Sequence, residues 1–169
     1  MPRRLEISAA MIAIFILSVM IVQSLKLATA SLYTVDATLQ MESWQKQKKS
    51  PSLQQWLKAH QRLQKAIELE PENPLHSTKM AELLQIITTL EKSTKKERNR
   101  RSLPHLRRTV NLRPAWAYGW AKLALAKYRA QELDHEMRKA AINAFIAAPN
   151  DNPIRRTIRI IQHKNSSKY

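Results

Sequence analysis

The chain of 169 residues contains one glycine, Gly119, and this scarcity restricts its fold more than any other feature. Loops that wrap phosphates in nucleotide-binding enzymes need several glycines, because glycine adopts positive φ freely and lets the backbone approach a ligand closely. Tight β-hairpin turns depend on glycine for the same reason. The sequence therefore excludes the common glycine-rich nucleotide sites and predicts an all-α protein.

The charge, the cysteine content and the histidine spacing exclude several classes of functional site. The chain has no cysteine, which excludes disulfides and thiolate metal sites. Its 29 Lys and Arg outnumber 13 Asp and Glu, and the net charge of +16 attracts anionic partners. No two of the five histidines are spaced i, i+4, and the motifs HExxH and GxSxG are absent. We therefore predict no metal site, no cofactor, no catalytic residue and no enzymatic activity.

An apolar run near the N-terminus, residues 7–25, is long enough to cross a bilayer. Its 19 residues cover roughly 28 Å as a helix, close to the thickness of the hydrocarbon layer. Two arginines precede the run, and no basic residue occurs between Lys26 and Lys46, which favours a cytoplasmic N-terminus. We therefore predict a transmembrane signal-anchor over residues 1–26.

The alternative is a cleaved signal peptide, because Ala28 and Ala30 form an A-x-A cleavage pattern behind a charged start. In both cases the rest of the chain is exported. With the anchor retained, the prediction is a single-pass protein of the bacterial inner membrane, with a cytoplasmic N-terminus and a periplasmic helical domain. Export removes nucleic acid from the expected partners, although such a basic chain in the cytosol would suggest it.

Prolines divide the exported part into segments that carry apolar residues at helical spacing. We predict a helical domain over residues 52–163, preceded by a juxtamembrane helix or tether at 27–51 and followed by a disordered tail at 164–169. Residues 92–101 hold no apolar side chain and are predicted as a solvated basic loop. The predicted helices cover 52–70, 75–91, 103–112, 115–130, 133–148 and 153–163.

One register of small and apolar residues recurs three times and ends in proline each time. Its positions have offsets 0, 4, 7 and 12, which match the second helix of a tetratricopeptide repeat (TPR). The exported part therefore resembles a degenerate TPR array of stacked helix pairs. The matching residues are Ala59, Leu63, Ala66 and Pro71, then Ser102, Leu106, Thr109 and Pro114, then Met137, Ala141, Ala144 and Pro149.

Two tryptophans and two tyrosines lie within one short stretch around Gly119. In a TPR-like pair, small residues let the helices approach closely, and bulky rings fill the remaining space. We therefore predict that Trp120 and Tyr128 pack in the core. Trp116 and Tyr118 precede the body of the helix and are candidate binding residues for a sugar or a peptide.

Basic residues cluster in two places, and each cluster can be interpreted as solvated surface or as a binding surface. The binding interpretation involves an acidic lipid, an anionic polysaccharide or an acidic protein, and each Lys or Arg near an anionic membrane contributes about 1 kcal/mol. The first cluster consists of Lys95, Lys96, Arg98, Arg100 and Arg101, and the second of Arg155, Arg156 and Arg159.

The stretch 112–140 resembles the best-preserved block of small bacterial proteins of the VpsP type. The resemblance implies an N-terminal membrane segment, a short TPR-like region and an accessory role in exopolysaccharide assembly or export, with no catalytic residues. The sequence AAPNDNP after the last predicted helix pair departs from the glycine- and proline-rich turn of that family. The residues that carry the resemblance are Arg113, Pro114, Trp116, Trp120, Leu123, Lys127 and Asp134.

The function expected from these observations is that of a membrane-anchored periplasmic TPR-like adaptor, which docks other proteins of a polysaccharide assembly machine. Two alternatives stay open. One is a module that binds an anionic glycan or lipid head groups, and the other is an assembly factor of a pilus or secretion system.

Overall fold

The computed structural model describes residues 2–86 and 93–163, with side chains described from Met11 to Ile161 within those ranges. Every regular element in these ranges is an α-helix, which confirms the all-α prediction. The helices are α1 (Pro2–Lys46), α2 (Leu53–Leu69), α3 (Pro74–Leu84), α4 (Lys95–Leu112), α5 (Ala117–Arg129), α6 (His135–Ala147) and α7 (Asn152–His163).

Helix α1 is continuous over 45 residues, so the segment predicted as a juxtamembrane helix or tether is helical as far as Lys46. Beyond the apolar run, α1 packs against α2 and α3 with one face, on which Ala30, Met41 and Trp44 are buried. The first helix pair therefore begins inside α1, upstream of residue 52. Among the described residues, α1 is the one helix that is long and apolar enough to cross a bilayer.

The helices pack in pairs, α1 with α2, α3 with α4 and α5 with α6, and α7 packs against α5 and α6 at the end of the stack. The chain turns sharply between them. Ser52 and Gln55 form a capping box before α2, and Asn73 caps α3 ahead of Pro74. Because each turn reverses the chain, the N-terminal ends of α1, α3, α5 and α7 lie on the same side of the stack.

The first basic cluster lies in a helix, so the prediction of a solvated loop over residues 92–101 is wrong from Lys95 onward. Helix α4 begins at Lys95 because Thr94 and Glu97 form a capping box. The backbone N–H of Glu97 donates to the Thr94 hydroxyl at 3.2 Å, and the Thr94 N–H donates to the Glu97 carboxylate at 2.7 Å. The acidic Glu97 also offsets the unfavourable interaction of two lysines with the N-terminal end of the helix dipole.

Two other predictions fall partly or wholly outside the described residues. The helix predicted over 75–91 is observed as α3 up to Leu84, and residues 87–91 lie outside the described ranges. The tail predicted at 164–169 lies outside them as well.

The small residues of the repeat register are buried between the helices. Ala59, Leu63 and Ala66 of α2 have no exposed surface, and Leu106 of α4 and Ala144 of α6 occupy equivalent buried positions. Because these small side chains let neighbouring helices approach closely, their burial confirms the TPR-type register that the sequence predicts.

The aromatic residues around Gly119 fill the seam between helices. Trp120 packs against two apolar clusters, and its indole N–H donates to the carbonyl oxygen of Pro114 at 2.7 Å. Tyr128 packs against one of these clusters, so both half-buried rings pack against the core as predicted. A Cβ on Gly119 would come within 3.1 Å of the Trp116 ring, so the glycine lets that ring close over the start of α5.

Candidate binding groove

A groove lies beside the C-terminal ends of α1, α3 and α5 and the first turn of α4. It consists of two adjoining cavities of about 90 Å³ and 460 Å³ that share Glu82, Gln85 and Arg129. Residues from four helices therefore line one continuous surface. The polar ones are Gln45 at the end of α1, Glu82 on α3, Gln85 directly after α3, Lys95, Arg98 and Asn99 at the start of α4, and Lys122 and Arg129 on α5.

The groove is positively charged, because four of the described lining residues are cations and one is a carboxylate. Burial of Glu82 acts to raise the pKa of its carboxyl, but the ammonium groups of Lys122 and Lys79 outweigh burial and lower that pKa. Glu82 is thus ionised, and both lysines form ion pairs with it. Lys95 and Arg129 have no carboxylate within salt-bridge distance among the described residues, so their charges can bind an anionic ligand.

Two polar atoms at the α4 end of the groove lack a partner in the part of the chain that the structure describes. They are the side-chain oxygen of Asn99 and the Nε of Arg98, and both are buried. The remaining polar atoms of these side chains are bonded locally, since Arg98 donates to the Ser93 carbonyl at 2.5 Å and Asn99 donates to the Lys95 carbonyl at 2.7 Å. Buried polar atoms without partners are rare in folded proteins.

An ion network behind the groove holds its α5 wall in place. Lys127 is buried, with 1% of its side chain exposed, and its ammonium lies 2.6 Å from Glu136, 2.9 Å from Asp134 and 3.2 Å from Glu132. Glu136 also accepts two hydrogen bonds from Arg107 on α4, at 2.7 Å and 2.8 Å. The network therefore joins α4, α5 and α6.

The same contacts fix the charge states in this network. Hydrogen bonds from Arg107 and Lys127 outweigh burial and lower the pKa of the Glu136 carboxyl to about 2. The hydrogen bond from Lys127 likewise lowers the pKa of Asp134, whose side chain also caps α6 by accepting from the Met137 N–H at 3.0 Å. The cap was predictable from the sequence, but the ion network was not.

The structure separates the members of the first basic cluster. Lys95 and Arg98 line the groove, whereas Arg100 points away from it and pairs with a carboxylate of the α5–α6 turn at 3.0 Å. Lys96 and Arg101 are exposed on α4. The cluster is therefore not one patch, and two of its five members belong to the groove.

The second basic cluster borders an apolar surface. Arg155 and Arg159 line a depression of about 370 Å³ between α6 and α7, together with Ile142 and Phe145. The adjacent Ile146 is 70% exposed. Large apolar side chains exposed next to arginines are typical of a surface that contacts an amphipathic or anionic partner.

Trp116 and Tyr118, the predicted aromatic binding residues, do not line the groove. Trp116 precedes α5 and is half-buried, and the guanidinium of Arg113 lies 5.7 Å from the centre of its ring. Tyr118 donates a hydrogen bond from its hydroxyl to Asp151 at 2.5 Å, and this bond raises the pKa of Tyr118. Both side chains thus make contacts within the chain.

Two of the histidines, His76 and His60, have defined partners within the chain. His76 is buried between the Thr34 hydroxyl, 2.7 Å from Nδ1, and the Glu70 carboxylate, 2.8 Å from Nε2. His60 stacks on Trp56 with ring centres 5.1 Å apart. Within the described ranges, no three His, Asp or Glu side chains are grouped so that they could hold a metal ion. The predictions of no cofactor and no enzymatic activity stay predictions.

Solved structures with the same arrangement of helix pairs are TPR domains. The first TPR domain of human RPAP3 is similar with a TM-score of 0.62 and 16% sequence identity, over 83% of this chain and 94% of that domain. The first TPR of Spaghetti (RPAP3), solved with the HSP90 peptide SRMEEVD, has a TM-score of 0.62 and 15% identity, over 83% and 98% of the two chains. The Sgt2 TPR domain from Aspergillus fumigatus has a TM-score of 0.63 and 13% identity, over 82% and 80%.

The fold is TPR-like. Each helix pair is one repeat unit, and α7 follows the third unit. No protein-family model matches the chain, and no curated protein matches it in sequence. The structural similarity at these identities establishes the fold alone.

The sequence analysis missed most of the groove residues. A signal for them exists, because Lys122 and Arg129 are seven residues apart and Glu82 and Gln85 three apart, spacings that place each pair on one helix face. These spacings predict a groove only once it is known which helices contribute residues to it.

Proposed function

We propose that this protein is a membrane-anchored adaptor whose TPR-like domain binds an acidic peptide segment of a partner protein in the groove at the C-terminal ends of α1, α3 and α5. The observation that carries the proposal is the unpaired positive charge of Lys95 and Arg129 at the two sides of a groove lined by three successive repeats. Charge complementarity of this kind increases association rates and selects acidic partners.

A peptide suits the groove better than a compact anion. The groove extends from Gln45 on α1 to Arg129 on α5, so an extended segment would contact all three repeats. The Spaghetti TPR domain, which has the same fold, binds the HSP90 peptide SRMEEVD, a sequence with three acidic residues.

The proposed location is the bacterial inner membrane, with the N-terminus in the cytoplasm and the repeats in the periplasm. The length and composition of α1 support a single span, and the arginines before its apolar run support this orientation. A reporter enzyme that is active only in the periplasm, fused after Ile161, tests the orientation. An inactive periplasmic reporter, together with an active cytoplasm-specific reporter fused at the same site, would contradict it.

The proposed setting is a polysaccharide assembly or export machine, which the resemblance to VpsP-type proteins supports. The test is co-purification from native membranes of the full-length protein, compared with Arg129→Glu and Trp116→Ala variants. We expect membrane glycosyltransferase or transport components to be retained with the wild type and with Trp116→Ala, and to be lost with Arg129→Glu. Recovery of pilus or secretion components instead would assign the adaptor to that machinery.

The surface of α6 and α7 favours a second candidate function, contact with anionic lipid head groups. The end of α6 and the start of α7 lie on the side of the stack from which α1 leaves toward the bilayer, because Thr34 of α1 lies against His76 in the first turn of α3. Exposed Phe145 and Ile146 would enter the interface, and the three arginines of α7 would contact phosphates.

A fluorophore on a single cysteine tests this second function, since the chain has no natural cysteine. In lipid nanodiscs containing phosphatidylglycerol, we expect spin-labelled lipid to quench the label in Phe145→Cys strongly. Lys49→Cys, at the opposite edge after α1, is the control. Equal quenching at the two positions would contradict a lipid-facing α6–α7 surface.

A glycan-binding role has less support, because Arg113 already covers the Trp116 ring and Asp151 binds the Tyr118 hydroxyl. Binding of an acidic polysaccharide to the full-length protein, with loss of binding in Trp116→Ala, would nevertheless favour it over the adaptor.

A further inference from the structure

Beyond the apolar run, α1 has two opposite faces. The inner stripe (Ala30, Thr34, Ala37, Met41 and Trp44) is buried against α2 and α3. The outer stripe is defined as Leu25, Ala28, Leu32, Val35 and Leu39, and all five residues are exposed. At about 100° per residue, the mean directions of the two stripes differ by roughly 180° around the helix axis. The outer stripe therefore points directly away from the repeat domain.

The outer stripe is apolar far from where lipid would cover it. Leu32, Val35 and Leu39 are 70%, 53% and 59% exposed. Leu32 and Leu39 lie 7 and 14 residues past Leu25, the end of the apolar run, which corresponds to roughly 10 Å and 21 Å along the helix. Single exposed leucines are common on protein surfaces. A straight row of exposed apolar residues on one helix is uncommon, and it indicates a surface that binds a partner.

The spacing of the row identifies the kind of partner. Successive stripe positions are separated by 3, 4, 3 and 4 residues, which is the a and d spacing of a heptad repeat. The same spacing continues upstream through Ile21, Ser18, Ile14 and Met11, so nine positions form one seam from the span into the juxtamembrane helix. A heptad seam is complementary to another helix with the same seam in parallel.

Membrane insertion presents such a partner. All copies of a single-pass protein have the same orientation and depth, so the seam of one copy meets the same seam of the next in register. Cationic repulsion is absent along this segment, because no Lys or Arg occurs from Leu27 to Gln45 in a chain of net charge +16. The nearby Asp36 carboxylate is paired with Arg62 of the same chain.

We propose that the outer stripe binds the outer stripe of a second copy of this chain, forming a parallel coiled coil that is continuous with the membrane span. The inference rests on the membrane anchor of the proposed function. Three of the five a positions are Leu, and three of the four d positions are Ile or Val, a pattern compatible with assemblies of more than two chains. Each assembly would present at least two grooves, so a partner with repeated acidic segments would bind with increased avidity.

Disulfide trapping in native membranes tests the proposal with the full chain, which has no cysteine of its own. Equivalent a positions of a parallel coiled coil lie close enough to form a disulfide. We expect Leu32→Cys and Leu39→Cys to give covalent dimers on mild oxidation. Gln61→Cys, exposed on α2, is the matched control and should stay monomeric. Trapping no greater at position 32 or 39 than at 61 would overturn the proposal.

Charge insertion gives a second measurement. We expect Leu32→Glu combined with Leu39→Glu to reduce the mass of the detergent-solubilised protein, measured by light scattering, from two or more copies to one. The fold should survive, because both side chains are exposed, and an unchanged circular dichroism spectrum checks this. Leu57→Glu, at a similarly exposed leucine on α2, should keep the larger mass. A wild-type mass of one copy would contradict the proposal.

The outcomes separate this inference from the proposed function. Alkaline carbonate extraction of the same membranes reports the anchor alone, so release of the chain would contradict the anchored adaptor and the coiled coil together. An anchored chain that gives no trapping contradicts only the coiled coil. Loss of partner binding in Arg129→Glu, with trapping at Leu32→Cys unchanged, would show that groove and stripe act independently.

Discussion

The Nδ1 atom of His76 lies 2.7 Å from the hydroxyl of Thr34, and this bond joins α1, the helix proposed to span the membrane, to the second repeat. Both side chains are buried, with 1% and 3% exposure. On its other side, His76 contacts the Glu70 carboxylate at 2.8 Å, in the turn between α2 and α3. One imidazole thus ties α1, α2 and α3 together, and the position of the groove relative to the N-terminal part of α1 depends on it.

Replacing Thr34 by Val should destabilise the domain by about 1–3 kcal/mol, because the buried imidazole nitrogen loses its partner while the side-chain volume is retained. Urea unfolding of the full chain in mild detergent, followed by tryptophan fluorescence, measures the change. Thr38→Val is the control, since the Thr38 hydroxyl bonds only the carbonyl of its own helix. Equal losses in the two variants would contradict the coupling through His76.

Lys127→Met should lower the free energy of unfolding by about 3 kcal/mol, because it leaves three carboxylates without their shared buried cation. Lys122→Met on the same helix is the control. Its ion pair with Glu82 is more than one-third exposed at the lysine, and we expect a loss below about 1 kcal/mol. The same unfolding experiment measures both variants. A loss of stability in Lys122→Met as large as that in Lys127→Met would contradict the claim that the ion network holds α5 in place.

The stability that Glu136 contributes should depend on pH in a defined window. Its pKa in the fold is about 2, below the ordinary value of 4.5, so the ionised carboxylate stabilises the fold above pH 4.5. This contribution is lost as the pH falls from 4.5 through 2. We therefore expect the stability gap between wild type and Glu136→Gln to be constant at neutral pH and to close below pH 4.5.

Glu72→Gln serves as the comparison, since Glu72 is exposed in the turn before α3. Urea titrations at several pH values should show no such closing gap for this variant. A gap for Glu136→Gln that persists at pH 2 would mean that the carboxylate is not held ionised by Arg107 and Lys127.

Gly119→Ala should show a stability effect that depends on Trp116. Alanine is favoured over glycine inside a helix by about 1 kcal/mol. In the wild type, the new Cβ would meet the Trp116 ring at 3.1 Å, which opposes that gain. In a Trp116→Ala background the contact is gone, and Gly119→Ala should stabilise by about 1 kcal/mol. The unfolding free energies of the wild type, the two single variants and the double variant form a double-mutant cycle. Equal gains in both backgrounds would refute the close packing of glycine and indole.

The sequence was sufficient to predict the repeats because their register is local. Small residues at fixed offsets specify which faces of α2, α4 and α6 are buried, and Trp120 fills the seam that they leave. Helix α2 was predicted to within one residue at each end, since a capping serine and a proline-containing turn bound it. Such signals depend only on neighbouring residues.

The features that the sequence did not reveal depend on residues distant in the chain. The start of α4 was missed because a run of polar and basic residues gives no apolar period, although Thr94 and Glu97 already carry the capping signal. The groove was missed because Gln45, Glu82 and Arg129 come from three repeats. The Lys127 network was missed because its cation is on α5 and its acids lie in the next turn and on α6.

The most direct test of the adaptor is the affinity of the full chain, in detergent, for acidic peptides taken from the exported segments of proteins encoded beside it. Fluorescence anisotropy gives the dissociation constants. We expect at least one acidic peptide to bind, and Arg129→Glu to weaken that binding tenfold or more, about 1.4 kcal/mol. Arg156→Glu, an equal charge change on exposed α7, should leave the affinity unchanged. Binding that survives in Arg129→Glu, or that is lost equally in Arg156→Glu, would contradict a peptide-binding groove.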